Sequence, residues 1–230
     1  MICVICLAPV TPEFNWTYLF SREPECYLCA DCKGKLEVIK GETCQLCGRS
    51  LQMLETRHVK DGVCRDCQKW EELNEWKGIL QSNQSLFLYN DFLKETIARF
   101  KYRGDFRLAS VFVSFLPKDF GKNKVVVPIP LSEERLYERG FNQVEAIFFY
   151  TKIPYTNCLV RIHSEKQSKK TRQERLQIEN IFKLEKKESI IAQDILLVDD
   201  IYTTGATLRS AAKLLKEAGA KSISSFTIAR

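Results

Sequence analysis

The 230-residue chain has a net charge of +6 and no run of about 18 apolar residues, so no membrane insertion is expected. Its N-terminus, MICVICLAPV, lacks the basic start and small-residue cleavage site of a secretory signal, so the protein is expected to be cytoplasmic. Nine of its ten cysteines precede residue 68, and eight of those pair off as Cys-x-x-Cys, which is metal spacing and not a disulfide framework. Residues 1–69 balance nine Lys or Arg against nine Asp or Glu, so the basic excess lies entirely downstream.

Residues 1–69 are rich in Cys, Gly and turn formers and show little periodicity, as expected when metal ions replace a hydrophobic core. The stretch between Cys44-x-x-Cys47 and Cys64-x-x-Cys67 has the length usual in a four-cysteine zinc ribbon. Gly48, directly after Cys47, relieves crowding where the backbone turns toward sulfur. A second site takes Cys3 and Cys6 with either Cys29 and Cys32 or Cys26 and Cys29, the latter pair being the more typical in spacing. Two structural zinc ions are therefore expected in a module at 1–69. WEELNEW (70–76) reads as a short helix or linker, which places a boundary at 70–84 and a second domain at 85–230.

In that domain SLFLY (85–89) is a predicted strand and Asp91 the predicted N-cap of a helix carrying Phe92, Ile97 and Phe100. RLASVFVSFL (107–116) predicts a second helix, VVVPIP (125–130) a buried strand broken by prolines, NQVEAIFFY (142–150) a helix and CLVRI (158–162) a strand. Cys158 is expected to be a buried apolar residue. DILLVD (194–199) is the clearest buried strand. ATLRSAAKLLKEAG (206–219) follows as a helix with Leu208, Ala211, Leu215 and Ala218 on one face and Gly219 as its stop. SISSFTIAR is the last strand. Alternating strands and helices predict an α/β fold with a mostly parallel sheet behind the zinc module.

ILLVDDIYTTGATL (195–208) carries the chemistry. Ligands of parallel α/β sheets bind beyond the carboxyl ends of the strands, and a helix N-terminus offers unpaired N–H groups to phosphate. Thr203, Thr204 and Thr207 add hydroxyls, and Gly205 lets the backbone approach closely. Asp199 and Asp200 would repel phosphate and suit sugar hydroxyls, so a phosphorylated ribose fits both halves.

Four apolar residues, two acids and, after Ile201 and Tyr202, TTGAT resemble the phosphoribosyl pyrophosphate (PRPP) signature of type I phosphoribosyltransferases. The resemblance implies a PRPP site of Asp199, Asp200, Thr203, Thr204, Gly205, Ala206 and Thr207, with magnesium accompanying the ligand. VVVPIPLS (125–132) resembles the pyrophosphate loop of that superfamily, with Pro130, Leu131 and Ser132 at the turn. HSEKQSKKTRQER (163–175) holds five Lys or Arg against two Glu where such enzymes carry a flexible catalytic loop. Lys166, Lys169, Lys170 and Arg172 are its candidate contacts to departing pyrophosphate, since cations stabilise that charge once water is excluded. No general base is visible; His163 is expected to cap a strand or face solvent.

YERGFNQ (137–143), KQSKKTRQERLQIENIF (166–182), FKYRGD (100–105) and the cysteine module resemble the ComF family of competence-associated proteins. That resemblance aligns Cys29 and Cys32 as the partners of Cys3 and Cys6. It implies a role in natural transformation, handling incoming single-stranded DNA with the DNA helicase of the same operon. Glutamine amidophosphoribosyltransferase needs an N-terminal glutaminase with a terminal cysteine, whereas Cys3 opens a zinc knuckle here. Beyond Thr207 only a helix and a strand are predicted, so no base-recognising hood is expected and no acceptor is identified. Two alternatives stand beside PRPP binding in competence: phosphoribosyl transfer to an unknown acceptor, and a single-stranded DNA adaptor with a vestigial PRPP site.

Overall fold

The computed structural model describes residues 1–10, 28–162 and 181–230. In chain order its elements are α1 (Ala30–Lys35), β1 (Val59–Lys60), β2 (Val63–Cys64), α2 (Arg65–Glu72), β3 (Asn83–Phe87), α3 (Asp91–Tyr102), α4 (Ala109–Val113), β4 (Val125–Pro128), α5 (Glu133–Arg139), α6 (Gln143–Thr151), β5 (Leu159–Arg161), β6 (Phe182–Leu184), β7 (Asp194–Ile201), α7 (Ala206–Glu217) and β8 (Ser222–Ala229). No helix among the described residues is long and apolar enough to cross a membrane.

The main sheet has the order β3-β8-β7-β4, and all its pairings are parallel. Strand β7 lies inside it, with Leu197 opposite Val127 on one side and Ser225 on the other. Because strand side chains alternate, its four apolar residues feed two cores. Leu196 and Val198 join Phe100, Phe112 and Phe148 of the α3, α4 and α6 layer, while Ile195 and Leu197 join Leu208, Ala211 and Leu215 of α7. Burying each of these aliphatic side chains stabilises the fold by about 1.5–3 kcal/mol. The α/β class and the predominantly parallel sheet are thus as the residue pattern predicts.

The local differences have physical causes. Asn90, not Asp91, caps α3, its side chain accepting the Leu93 N–H at 2.9 Å. The helix expected at 107–116 is a 3-10 turn, Phe106–Leu108, followed by the short α4. Strand β5 leaves the main sheet and pairs antiparallel with β6. Helix α5 goes unseen in the sequence because its face is polar; Ser132 caps it and Gly140 ends it in the left-handed conformation. Cys158 is fully buried as expected, and burial pushes its thiol up to about 11.

The cysteine-rich part clasps the β3 edge. Ile39 N–H donates to Leu86 O and Leu88 N–H to Glu37 O, so residues 37–39 cover an edge that would otherwise present open backbone groups. Residues 70–84 lie against α7, with Trp76 and Leu80 buried and Arg209 and Lys213 stacked over Trp70 and Trp76. At the other contact Asn83 donates to Cys47 O at 3.1 Å and shares a buried network with Ser85, Ser225 and Thr227.

Gly48 stands at this seam with φ +68°, where a Cβ would come within 2.6 Å of Asn83 O. The requirement for glycine is therefore backbone conformation plus strand contact, beyond the local crowding expected beside Cys47. Gly48→Ala should destabilise the protein by about 1–3 kcal/mol, the usual cost of a forced left-handed residue. Urea denaturation with an unshifted midpoint would refute this.

Candidate functional site

Strand β7 delivers Asp199 and Asp200 to the carboxyl edge of the sheet, where alternation parts their side chains. Asp200 turns toward α3 and pairs with Lys101 Nζ at 2.6 Å, both groups being largely buried. Asp199 Oδ1 accepts the N–H of Asp200 at 2.8 Å. Burial first, and the charge of Asp200 second, push the Asp199 carboxyl up to about 7. Asp199 is thus a carboxylate held against its preference, the condition often found where a ligand later supplies the missing partners.

The turn after the acids is built from below. Tyr202 is buried beneath it, and at Gly205, with φ +82°, a Cβ would lie 2.2 Å from the Tyr202 hydroxyl oxygen. Arg230 Nη1 donates to the Tyr202 and Thr203 carbonyls at 3.1 and 2.9 Å, and Trp70 Nε1 donates to Thr204 O at 3.1 Å. The carbonyls are thereby turned away, Thr203 and Thr204 stay exposed, and α7 starts at Ala206 with Thr207 half-buried in its first turn. Among the described residues Ala206 N–H meets Thr204 Oγ1 at 3.4 Å. Such an arrangement offers N–H and hydroxyl donors to an anion.

The loop after β4 lies beside it. Ile129 N–H donates to Val198 O and Asn142 Nδ2 donates to Ile129 O, which anchors the turn to β7 and α6. Pro130 and Leu131 are half-buried, and Ser132 Oγ accepts the Arg135 N–H as the α5 cap. Lys166, Lys169, Lys170, Arg172, His163 and Cys26 lie outside the described residues.

Several cations that the fold brings here carry no local chemical signal in the sequence. Lys101 comes from FKYRGD and Arg139 from YERGFNQ, segments whose only evident signal is family resemblance. Arg139 is nine-tenths buried, donates to Gln143 Oε1 at 2.8 Å and stands over the Tyr102 ring, while its Nε has no partner among the described residues. Arg161 on β5 is pulled below the usual guanidinium range by burial and then by Arg135, with Asp199 and Arg139 also near enough to act on it. Positive charge thus gathers beside the acid pair, as an anionic ligand with a hydroxylated half would require.

The cysteines form two tetrads, Cys3, Cys6, Cys29, Cys32 and Cys44, Cys47, Cys64, Cys67, each with sulfurs within 4.8 Å of one another. Cys6 and Cys29 are 3.6 Å apart, as are Cys47 and Cys64. Tetrahedral zinc with Zn–S bonds of about 2.3 Å needs sulfur separations of about 3.8 Å, so both all-thiol sets can hold it. The second tetrad is entirely buried, whereas Cys6 of the first is exposed. In the second, hydrogen bonding to Cys44 pushes the Cys47 and Cys67 thiols up, because a thiol that donates to a neighbouring sulfur keeps its proton until a cation replaces it.

Residues 118–230 match the family described as phosphoribosyl transferase domain. The chain is 42% identical to "Competence protein ComFC" of Bacillus subtilis (strain 168), across all of this chain and 95% of that one. It is 37% identical to "Competence protein ComFC" of Streptococcus pneumoniae (strain ATCC BAA-255 / R6), across the full length of both. Among solved structures, the hypoxanthine phosphoribosyltransferase of Staphylococcus aureus superposes on 58% of this chain and 62% of its own, at 18% identity and a TM-score of 0.30. With two such relatives matched along the whole chain and a matching transferase domain, the chain belongs to the ComF family of competence proteins, as its ComFC type.

Proposed function

We propose that this protein binds PRPP with magnesium on its phosphoribosyltransferase domain and serves natural transformation, handling incoming single-stranded DNA with the helicase of its operon. The observation that carries the ligand reading is the juxtaposition of Asp199 and Asp200 with the open Thr203-to-Thr207 turn at the start of α7. The acids would accept the ribose hydroxyls, and the turn would take the 5-phosphate. Pyrophosphate would lie toward Pro130, Leu131 and Ser132, bring magnesium on its oxygens and meet Lys166, Lys169, Lys170 and Arg172. Zinc would fill both cysteine tetrads as a structural element, with residues 1–69 as its module, 70–84 as the connector and 85–230 as the ligand-binding domain. The DNA and helicase roles rest on family membership.

The test is titration calorimetry with PRPP and magnesium. Asp200→Asn keeps the shape and leaves Lys101 an acceptor, so the fold should survive. It should weaken PRPP by about tenfold to a hundredfold, the equivalent of one charge-assisted hydrogen bond. Equal affinity in wild type and variant would reject the site.

A further inference from the structure

The second tetrad and the candidate ligand turn share one buried cluster, in which Cys44, Cys47, Cys64 and Cys67 pack with Tyr202 and Leu208. Helix α2 starts from that tetrad: Cys64 is its N-cap and Cys67 lies in its first turn. Residues three and four positions along a helix share a face, so Trp70 and Glu71 stand one turn beyond Cys67 on the same side. Both reach the ligand-binding domain. Trp70 Nε1 donates to Thr204 O at 3.1 Å, and Glu71 Oε1 accepts from Arg209 Nη1 at 3.3 Å. Arg209 completes the contact: it is fully buried, stacks over the Trp70 ring, and its backbone N–H donates to Gly205 O.

Charge joins the two places as well. Four thiolates around one divalent zinc leave a dianionic cluster, which a buried site tolerates only beside cations or hydrogen-bond donors. The seam holds such groups. Arg209 Nε and Nη2, Arg230 Nε and the Tyr202 hydroxyl are buried atoms without a hydrogen-bond partner among the described residues. Burial pushes the Tyr202 hydroxyl up, and Cys67, Arg209, Cys47 and Arg230 all stand near enough to act on it. Arg230 is also the group whose Nη1 holds the carbonyls of Tyr202 and Thr203. Trp70 and Arg230 thus hold the turn together, and each is tied to the tetrad, one through a helix and the other through charge.

We infer that Trp70 is a positioning residue that couples the ligand turn to the second tetrad, so that a phosphorylated ligand and zinc each bind more tightly when the other is present. That the ligand is PRPP rests on the proposed function. Whatever factor zinc adds to PRPP affinity, PRPP must add to zinc affinity at this tetrad. Loss of that zinc would then release the ligand. The first tetrad supplies the contrast, since Cys3 and Cys32 pack with Leu93, Ile97 and Phe100 of α3 in the other core.

The experiment measures zinc affinity of the full chain by competition with a chromogenic chelator, with and without saturating PRPP in excess magnesium. Cys6→Ser removes a ligand of the first tetrad and leaves the second to be read alone. PRPP is expected to tighten zinc at the second tetrad by about fivefold or more, while zinc at the first tetrad of the wild type changes by less than about twofold. Capture of zinc by free PRPP acts in the opposite direction and cannot imitate this result. Trp70→Phe keeps a ring against Arg209 and deletes the donor to Thr204 O. It should weaken PRPP by about threefold to tenfold in calorimetry, the usual contribution of one hydrogen bond, and shrink the effect of PRPP on zinc to less than about twofold. Its zinc affinity without PRPP should stay within about twofold of wild type, which a merely destabilised fold would not give. Zinc affinity at the second tetrad that is unchanged by bound PRPP, or coupling in Trp70→Phe equal to that of the wild type, would overturn the inference. The wild-type comparison decides alone if Trp70→Phe does not fold. Should the wild-type chain fail to bind PRPP, that failure falls on the proposed function; amide exchange in the first turn of α7 then decides the coupling. It should quicken in Trp70→Phe with both zinc ions retained, and equal exchange in the two proteins would overturn the inference.

Discussion

Asp199→Asn is expected to make the ligand-free protein more stable at pH 8 while removing its PRPP binding. Burial and the neighbouring Asp200 raise the Asp199 carboxyl from 3.8 to about 7, so the folded protein binds that proton more tightly than the unfolded chain does. The sign follows. Below pH about 4 the group is protonated in both states and costs little; between 4 and 7 the unfolded chain ionises first and the penalty grows; above 7 it is complete. A rise of that size corresponds to about 4 kcal/mol, of which losing the charge on the acceptor of the Asp200 N–H returns about 1 kcal/mol. A gain of about 3 kcal/mol at pH 8 is large against the total stability of an ordinary domain, about 5–15 kcal/mol. Urea denaturation across pH 4 to 8 measures it, and the gap between variant and wild type should shrink toward pH 4. A variant less stable than wild type at pH 8 would show that Asp199 is satisfied by the fold and is not held for a ligand. Stability surrendered at a binding group is a usual feature of functional sites.

Losing zinc from the second tetrad should have a larger effect still. Structural zinc at four thiolates contributes about 10–16 kcal/mol of folding free energy, as much as or more than a whole domain's net stability. Cys44, Cys47, Cys64 and Cys67 are all buried, and their knuckle is tied to β3 through Asn83 and Gly48. Cys44→Ser should therefore release one zinc and also expose the β3 edge, read as faster amide exchange at residues 83–88. At the first tetrad Cys6 is exposed and Cys29 half-buried, so Cys6→Ser should release one zinc with the sheet left protected. Competition with a chromogenic chelator should be biphasic, the first tetrad yielding its metal sooner. Fewer than two zinc ions in the reduced native protein, or unchanged exchange at 83–88 in Cys44→Ser, would contradict this account.

The residues legible from sequence are those whose signal is local. Ile195 to Val198 are continuously apolar because both faces of β7 are covered, and Leu208, Ala211, Leu215 and Ala218 recur at helical spacing because one face of α7 is covered. The acid pair lies at the end of β7 and the TTGAT turn leads into α7, so their place at the carboxyl edge followed from chain order. Cysteine spacing likewise reports the geometry of a knuckle within a few residues.

Tertiary structure alone decided what depends on distant segments meeting. CLVRI reads as a strand, but with only Leu159 of β5 fully buried nothing in it names a partner, and it pairs with β6 outside the main sheet. Local spacing left open which cysteines join Cys3 and Cys6; the family resemblance indicated Cys29 and Cys32, and the closed loop brings those two to the site. Lys101 reaches Asp200 and Arg161 approaches Asp199, with Arg139 beside Arg161, from helices and a strand far along the chain. Periodicity tells which face of an element is covered, not which element covers it.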